Sequence, residues 1–175
     1  MSFAPTINLV DQAFINREGE TIPAESLSQI PLVCYYVAAK WCPSCKKFRD
    51  ELEPFYNTVN QSGKKLEIVY IGVDASDADH KEQTASFPWL SMPFNSPLAR
   101  KFLAENSITT IPSLLLIRKE DGSVVKKDCR GDVHFKNTAC VDEWIALLHE
   151  ANKDKLSLNE SAVSKQLNNS VGSKK

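Results

Sequence analysis

The chain has 175 residues, 42% hydrophobic and 25% charged, with a formal net charge of −1. That profile suits a soluble, one-domain protein large enough to bury a core without disulfides or metal. The near-neutral balance argues against a nucleic-acid or membrane-surface role carried by bulk charge, and no run reaches the ~18 apolar residues of a spanning helix.

In chain order, Ile7-Asn8-Leu9-Val10 reads as a short strand, and Ala13-Phe14-Ile15 and Glu20-Thr21-Ile22 flank a turn at Asn16–Gly19. Pro31–Val37 is continuously apolar and rich in β-formers, as a strand buried on both faces should be. Phe48, Leu52, Phe55, Tyr56 and Val59 follow at helical spacing, closed by Gly63. A second buried strand runs from Leu66 to Val73 and ends at Asp74. Strand, helix and strand in this order predict a parallel βαβ unit.

Beyond Asp74 a polar stretch to Thr84 predicts a short helix, and Phe87–Phe94 is too proline-rich to be regular. Ser96-Pro97 offers an N-cap and a first-turn proline to a helix through Phe102 and Leu103. Ser113–Arg118 and Ser123–Lys127 predict strands joined through Asp121-Gly122. A last helix is expected from about Asn137, with Val141, Trp144, Ile145, Leu148 and Ala151 on one face. Residues 152–175 turn Ser/Asn/Lys-rich and are expected to form a flexible polar C-terminal tail after a domain over 1–151. The amino end lacks a basic n-region and an apolar h-region, so a cytoplasmic location is expected, with entry to the nucleus left open.

Five cysteines, an odd number, point away from a disulfide framework and toward a catalytic or metal pair. Cys42 and Cys45 stand in Trp41-Cys42-Pro43-Ser44-Cys45, at the junction of a buried strand and a helix. There the free helix amides and the positive dipole end stabilise a thiolate. A thiol of pKa ~8.5 is only about 3% ionised at pH 7, whereas a pKa near ~7 makes it half ionised. Lys40, Lys46 and Lys47 push the same way. Cys42 is therefore the attacking thiolate, and Cys45, one turn on, is placed to resolve the mixed disulfide. A lone Cys-x-x-Cys is also half of a zinc site, which needs two more closely spaced ligands. Cys129, His134 and Cys140 supply no second pair at zinc spacing, so no metal is expected. Cys34 reads as a small buried hydrophobe, and Cys129 and Cys140 as inert thiols rather than a regulatory pair.

Trp-Cys-x-x-Cys after a buried strand, with Thr110-Ile111-Pro112 later, resembles the thioredoxin superfamily. The resemblance implies an α/β thioredoxin-like fold, a central mixed β-sheet flanked by helices. It implies that Pro112 is a cis proline beside the cysteine pair and that the backbone of Ile111 contacts bound substrate. Trp41 joins them in holding substrate, while Trp41, Pro43, Ser44 and Tyr36 support the active site. A closer likeness, over roughly residues 7–150, is to the tryparedoxin and nucleoredoxin branch. It rests on Cys-Pro-x-Cys, on Phe48-x3-Leu52-x2-Phe55-Tyr56, on Pro88-Trp89-Leu90-x2-Pro93-Phe94, and on Thr138-Ala139-Cys140 leading into a helix with Trp144. The long spacing from Asp74 to Pro112 marks an insertion before the cis-proline strand, and Trp89, Pro93 and Phe94 are expected to clip that insertion to the core.

The implied function is a protein thiol–disulfide oxidoreductase, a protein-disulfide reductase with Cys42 attacking and Cys45 resolving. Its partners would be protein disulfide substrates and an upstream reductase, with no nucleic acid, no membrane and a monomeric state. No bound cofactor is implied, because an external dithiol or reductase system re-reduces the Cys42–Cys45 disulfide. The alternative is a non-catalytic, redox-sensitive binding module of nucleoredoxin type; a thiol peroxidase on the same fold is the third class. Tyr36 stands where thioredoxins keep a buried Asp, which leaves the proton acceptor for Cys45 unassigned. Asp74 is one candidate, although an Asp ending a strand more often caps its loop. Asp50 replaces a proline found in many relatives, and Pro54 falls one turn later.

Overall fold

The computed structural model describes residues 13–171; the strand expected over 7–10 lies outside them. The hairpin β1 (Ala13–Ile15) and β2 (Thr21–Pro23) comes first, followed by the two apolar runs β3 (Leu32–Ala38) and β4 (Leu66–Gly72). Then come β5 (Leu90–Ser91), β6 (Ser113–Ile117) and β7 (Val124–Lys126). They form one mixed sheet in the order β2-β1-β5-β4-β3-β6-β7. β3 and β4 pair in parallel from Leu32–Leu66 to Ala38–Gly72, and β6 lies antiparallel on the other side of β3.

Every residue of β3 is buried, because successive side chains enter two different cores. Leu32, Cys34 and Tyr36 face one core, and Val33, Tyr35 and Val37 the other. Helix α1 (Pro43–Val59) fills the first core with Phe48, Leu52, Phe55, Tyr56 and Val59. Each fully buried side chain such as Leu52 contributes about 1.5–3 kcal/mol. The parallel β3–α1–β4 unit is thus the predicted one. Between Asp74 and Pro112 stand α2 (Asp77–Ala85), β5 and α3 (Pro97–Glu105). Ser96 caps α3 by accepting from the Ala99 amide, and Phe102 and Ala99 enter the second core.

One expectation is corrected. Phe87–Phe94 is not wholly irregular: Leu90 and Ser91 pair with Val69 and Tyr70 of β4, and Ser91 with Ile15 of β1. Pro88 and Pro93, which lack the amide a ladder needs, bracket this short strand. The segment is clipped down as expected. Trp89 packs on Tyr36 and Tyr56, while Arg49 donates to the Ser86 carbonyl at 2.9 Å and lies over the Phe87 ring.

The last helix begins about where expected, with a 3₁₀ turn over Asn137–Ala139 and α5 from Cys140, but a separate helix, α4 (Cys129–Lys136), precedes it. α4 buries only Cys129, Asp132 and Val133 and contains Gly131, so it has no readable apolar stripe. Its support is polar. Asp128 caps it through the Gly131 amide, and Asp132 accepts from Lys126 Nζ at 2.6 Å and Trp144 Nε1 at 2.8 Å. Asn137, at φ 50°, ends it.

α5 continues to Val171, so the residues from Asn152 onward are helical. Asn152 Oδ1 accepts from Arg118 Nε at 2.7 Å and Lys155 pairs with Asp121 at 3.1 Å, tying α5 to the β6–β7 hairpin. Among the described residues no helix is long and apolar enough to cross a membrane.

Candidate active site

The loop leaving β3 carries Trp41 and Cys42 to the start of α1. Cys42 is the N-cap, with extended backbone (φ −96°, ψ 111°), and Pro43 takes the first helical position, where no amide is needed. The Cys45 amide donates to Cys42 Sγ at 3.2 Å, so the sulfur occupies the place of a capping oxygen. The two cysteines are disulfide partners with Cα atoms 5.3 Å apart. Cys42 is 6% exposed and Cys45 2%. Cys42 is therefore more enclosed than an exposed thiol, and Pro43 and Ser44 form the outer surface beside it.

Trp41 stands out at 61% exposed, with its indole Nε1 donating to the Val73 carbonyl at 3.2 Å. The Ile111–Pro112 peptide bond is cis. Ser113, next in the chain, pairs with Val37 near the end of β3. That register places Pro112 at the same end of the sheet as the cysteine loop. Pro112 is buried, while Ile111 is half-buried and touches both cores. The Tyr36 hydroxyl donates to the Cys45 backbone carbonyl at 3.3 Å, not to the cysteine sulfur. Burial raises the Tyr36 phenol above its ordinary range, partly opposed by the Arg49 charge.

Asp74 behaves as a loop anchor. Its Oδ1 accepts from the Lys40 amide at 2.7 Å, and its Oδ2 lies 2.7 Å from the Tyr70 hydroxyl and 3.2 Å from His80 Nδ1. Burial alone would raise this carboxyl; hydrogen bonds from His80, the Lys40 amide and Tyr70 outweigh it and hold the group below its ordinary value. Sequence reasoning did not single out His80 or Tyr70. His80 sits in a polar segment with no motif, and Tyr70 reads as one more strand aromatic.

Cys34, Cys129 and Cys140 are free and buried. Burial pushes Cys129 up to about 12 and Cys140 to about 11, and raises Cys34 well above its ordinary value. Among the described residues no group of three or more His, Cys, Asp or Glu is arranged to hold a metal. An open groove of about 590 Å³ runs between α1 and α4 from Ser44 past Lys47 and Arg130 to Phe135, which is 84% exposed. His134 and Glu51 close across it at 2.7 Å.

Comparison with known proteins accords with this geometry. The model of the Thioredoxin-like family matches residues 31–124. Probable nucleoredoxin 3 of Arabidopsis thaliana is 33% identical over 64% of this chain and 28% of its own length. Tryparedoxin of Trypanosoma brucei brucei is 30% identical over 56% of this chain and 68% of its own. The structure of tryparedoxin II from C. fasciculata superposes with a TM-score of 0.67 at 27% identity, covering 74% of this chain and 85% of that one. The matches span less than a third of the length of the nucleoredoxins. The chain belongs to the thioredoxin-like family of redox proteins, in its tryparedoxin and nucleoredoxin branch.

Proposed function

We propose that this chain is a protein-disulfide reductase whose exchanging pair is Cys42 and Cys45. The observation that carries the reading is the placement of Cys42 Sγ at the amino end of α1, accepting from the Cys45 amide. A negative sulfur there is favoured by the helix dipole and by a charge-assisted hydrogen bond. The Cys42 thiolate attacks one sulfur of a substrate disulfide, forming a mixed disulfide and releasing the other sulfur as a thiolate. Deprotonated Cys45 then attacks Cys42 Sγ, closing the Cys42–Cys45 disulfide and releasing the second substrate thiolate. Two electrons have passed to the substrate, and an external dithiol or reductase system returns them with no bound cofactor.

Trp41 offers an apolar rim to the substrate chain, and Ile111 and Pro112 offer it backbone and ring contacts at the same end of the sheet. Pro43 and Ser44 form the exposed surface beside Cys42, and Tyr36 steadies the first turn of α1 through the Cys45 carbonyl. We assign the working unit to residues 1–151, as a monomer in the cytoplasm with nuclear entry left open. The test is reduction of insulin disulfides driven by dithiothreitol. Activity in the wild type and its loss in Cys42→Ser support the reading; equal rates in both overturn it. Partner capture that survives loss of both cysteines would favour the binding-module alternative.

A further inference from the structure

We propose that His80 is a positioning residue for the redox loop: a buried imidazole that holds Asp74 and, through it, the backbone two residues ahead of Cys42. The inference rests on the reading of Cys42 and Cys45 as the exchanging pair. His80, 5% exposed on α2, places Nδ1 3.2 Å from Asp74 Oδ2 and Nε2 3.1 Å from the Met92 carbonyl oxygen. The ring is thus engaged at both nitrogens, by a side chain after β4 and by the backbone after β5. Asp74 takes donors from the Lys40 amide and Tyr70 as well as meeting His80, so this buried carboxylate has its hydrogen bonds filled.

The surroundings are built for this ring. Tyr70 stacks on it at 5.6 Å and Phe94 covers it at the same centroid distance. Gly72 leaves the room: a Cβ there would meet Asp74 Oδ2 at 2.5 Å, His80 Nδ1 at 2.7 Å and Tyr70 at 2.8 Å. Among the described residues, the charged and titratable groups around His80 are Asp74 and Tyr70 from the β4 side, Arg17 from the β1–β2 turn, and Asp77 and Lys81 of its own helix, which pair with each other. Of these, Asp74 reaches a ring nitrogen.

The chain from His80 to the chemistry is short. Asp74 fixes the Lys40 amide, while the neighbouring Val73 carbonyl fixes the Trp41 indole. The Lys40 ammonium closes a second tie to Asp79 and Glu82 of α2. Cys42 thus enters the helix cap from a loop held at three points to the α2 side. Removing the His80 ring takes a partner away from Asp74 and loosens that loop.

The test uses the full chain labelled with ¹⁵N. His80→Leu should slow insulin reduction about tenfold, the scale expected when reacting groups lose their fixed placement. It should also shift the Lys40 amide signal and speed hydrogen exchange at the Trp41 indole, and Gly72→Ala should do the same with every hydrogen-bonding partner still present. A folded His80→Leu with the wild-type rate, or with the Lys40 and Trp41 signals unchanged, overturns the proposal. Should that variant not fold, Gly72→Ala decides by the same rate and signals. Failure of the reductase reading would show separately, as insulin reduction that Cys42→Ser does not abolish, while the spectra still report on the Lys40–Trp41 loop.

Discussion

Cys42 and Cys45 sit at the amino end of α1, whereas Cys34, Cys129 and Cys140 lie in the core that α1, α4 and α5 share with the sheet. Depth does not separate the two sets, since Cys45 at 2% exposed is almost as enclosed as the other three. Position does. Cys42 Sγ has the Cys45 amide aimed at it and a second cysteine one turn away, while burial raises Cys34, Cys129 and Cys140, and at the last two outweighs the Lys126 charge and the backbone hydrogen bonds that lower them. One residue type thus gives a disulfide pair at a helix cap and three packing groups, according to how burial and local donors balance.

The largest effect that could break this contrast is in alkylation. With the pair reduced and the fold intact at pH 7, iodoacetamide should label Cys42 faster than Cys129 or Cys140 by a factor on the order of a hundred. The thiolate fraction favours Cys42 by more than that, and its lower intrinsic nucleophilicity takes part back. Time-resolved peptide mass mapping reads the ratio; equal rates would remove the distinction. Next in size is Cys34→Ser, which puts a hydroxyl in the middle of β3 where its neighbours are apolar. Urea unfolding should show a loss of about 1–3 kcal/mol, with disulfide reduction per folded molecule unchanged. Cys129→Ala and Cys140→Ala should each lose on the order of 1 kcal/mol, again without loss of activity.

Acid sharpens the contrast through Asp132, which ties α4 to β7 and α5. Burial would raise this carboxyl, but Lys126 and Trp144 bonds hold it below its ordinary value. Asp121 behaves alike: burial raises it, yet bonds from Ser123 and Lys155 and the Arg118 charge bring it to about 2. A carboxyl depressed in the folded state stabilises fully above its unfolded value near ~3.9 and loses that contribution as pH falls. For Asp121 the loss runs down through about 2. Urea midpoints should therefore decline below about pH 4, and Asp132→Asn should flatten that decline. Lys155→Ala, at the exposed Asp121 pair, should change stability by less than about 0.5 kcal/mol.

Much of the site was legible in the residues. The apolar run at Leu32–Ala38, the cysteine spacing and Pro43 at the first helical position each act within a few residues, so strand, cap and helix follow one another on the page. The Ser96 cap and the Asp121-Gly122 turn were readable for the same reason. Helix α4 was not, because its stability comes from Asp132 bonding to Lys126 and Trp144, residues before and after it that no periodicity connects. β5 was hidden by the prolines on either side, and it pairs with residues 21 and 76 positions away in the chain. His80 carried no local signal at all.

By itself, then, the sequence determined the family, the sheet's central strands and the cysteine pair at the start of α1, since those depend on short-range patterns of burial, capping and thiol spacing. Only the tertiary structure decided what surrounds the pair. The groove along α4, the anchoring of Asp74 to the Lys40 amide, and the buried His80 contact all require side chains far apart in the chain to meet. Hydrogen bonds between such groups depend on directions and distances of about 3 Å, and residue order does not encode those until the fold has closed.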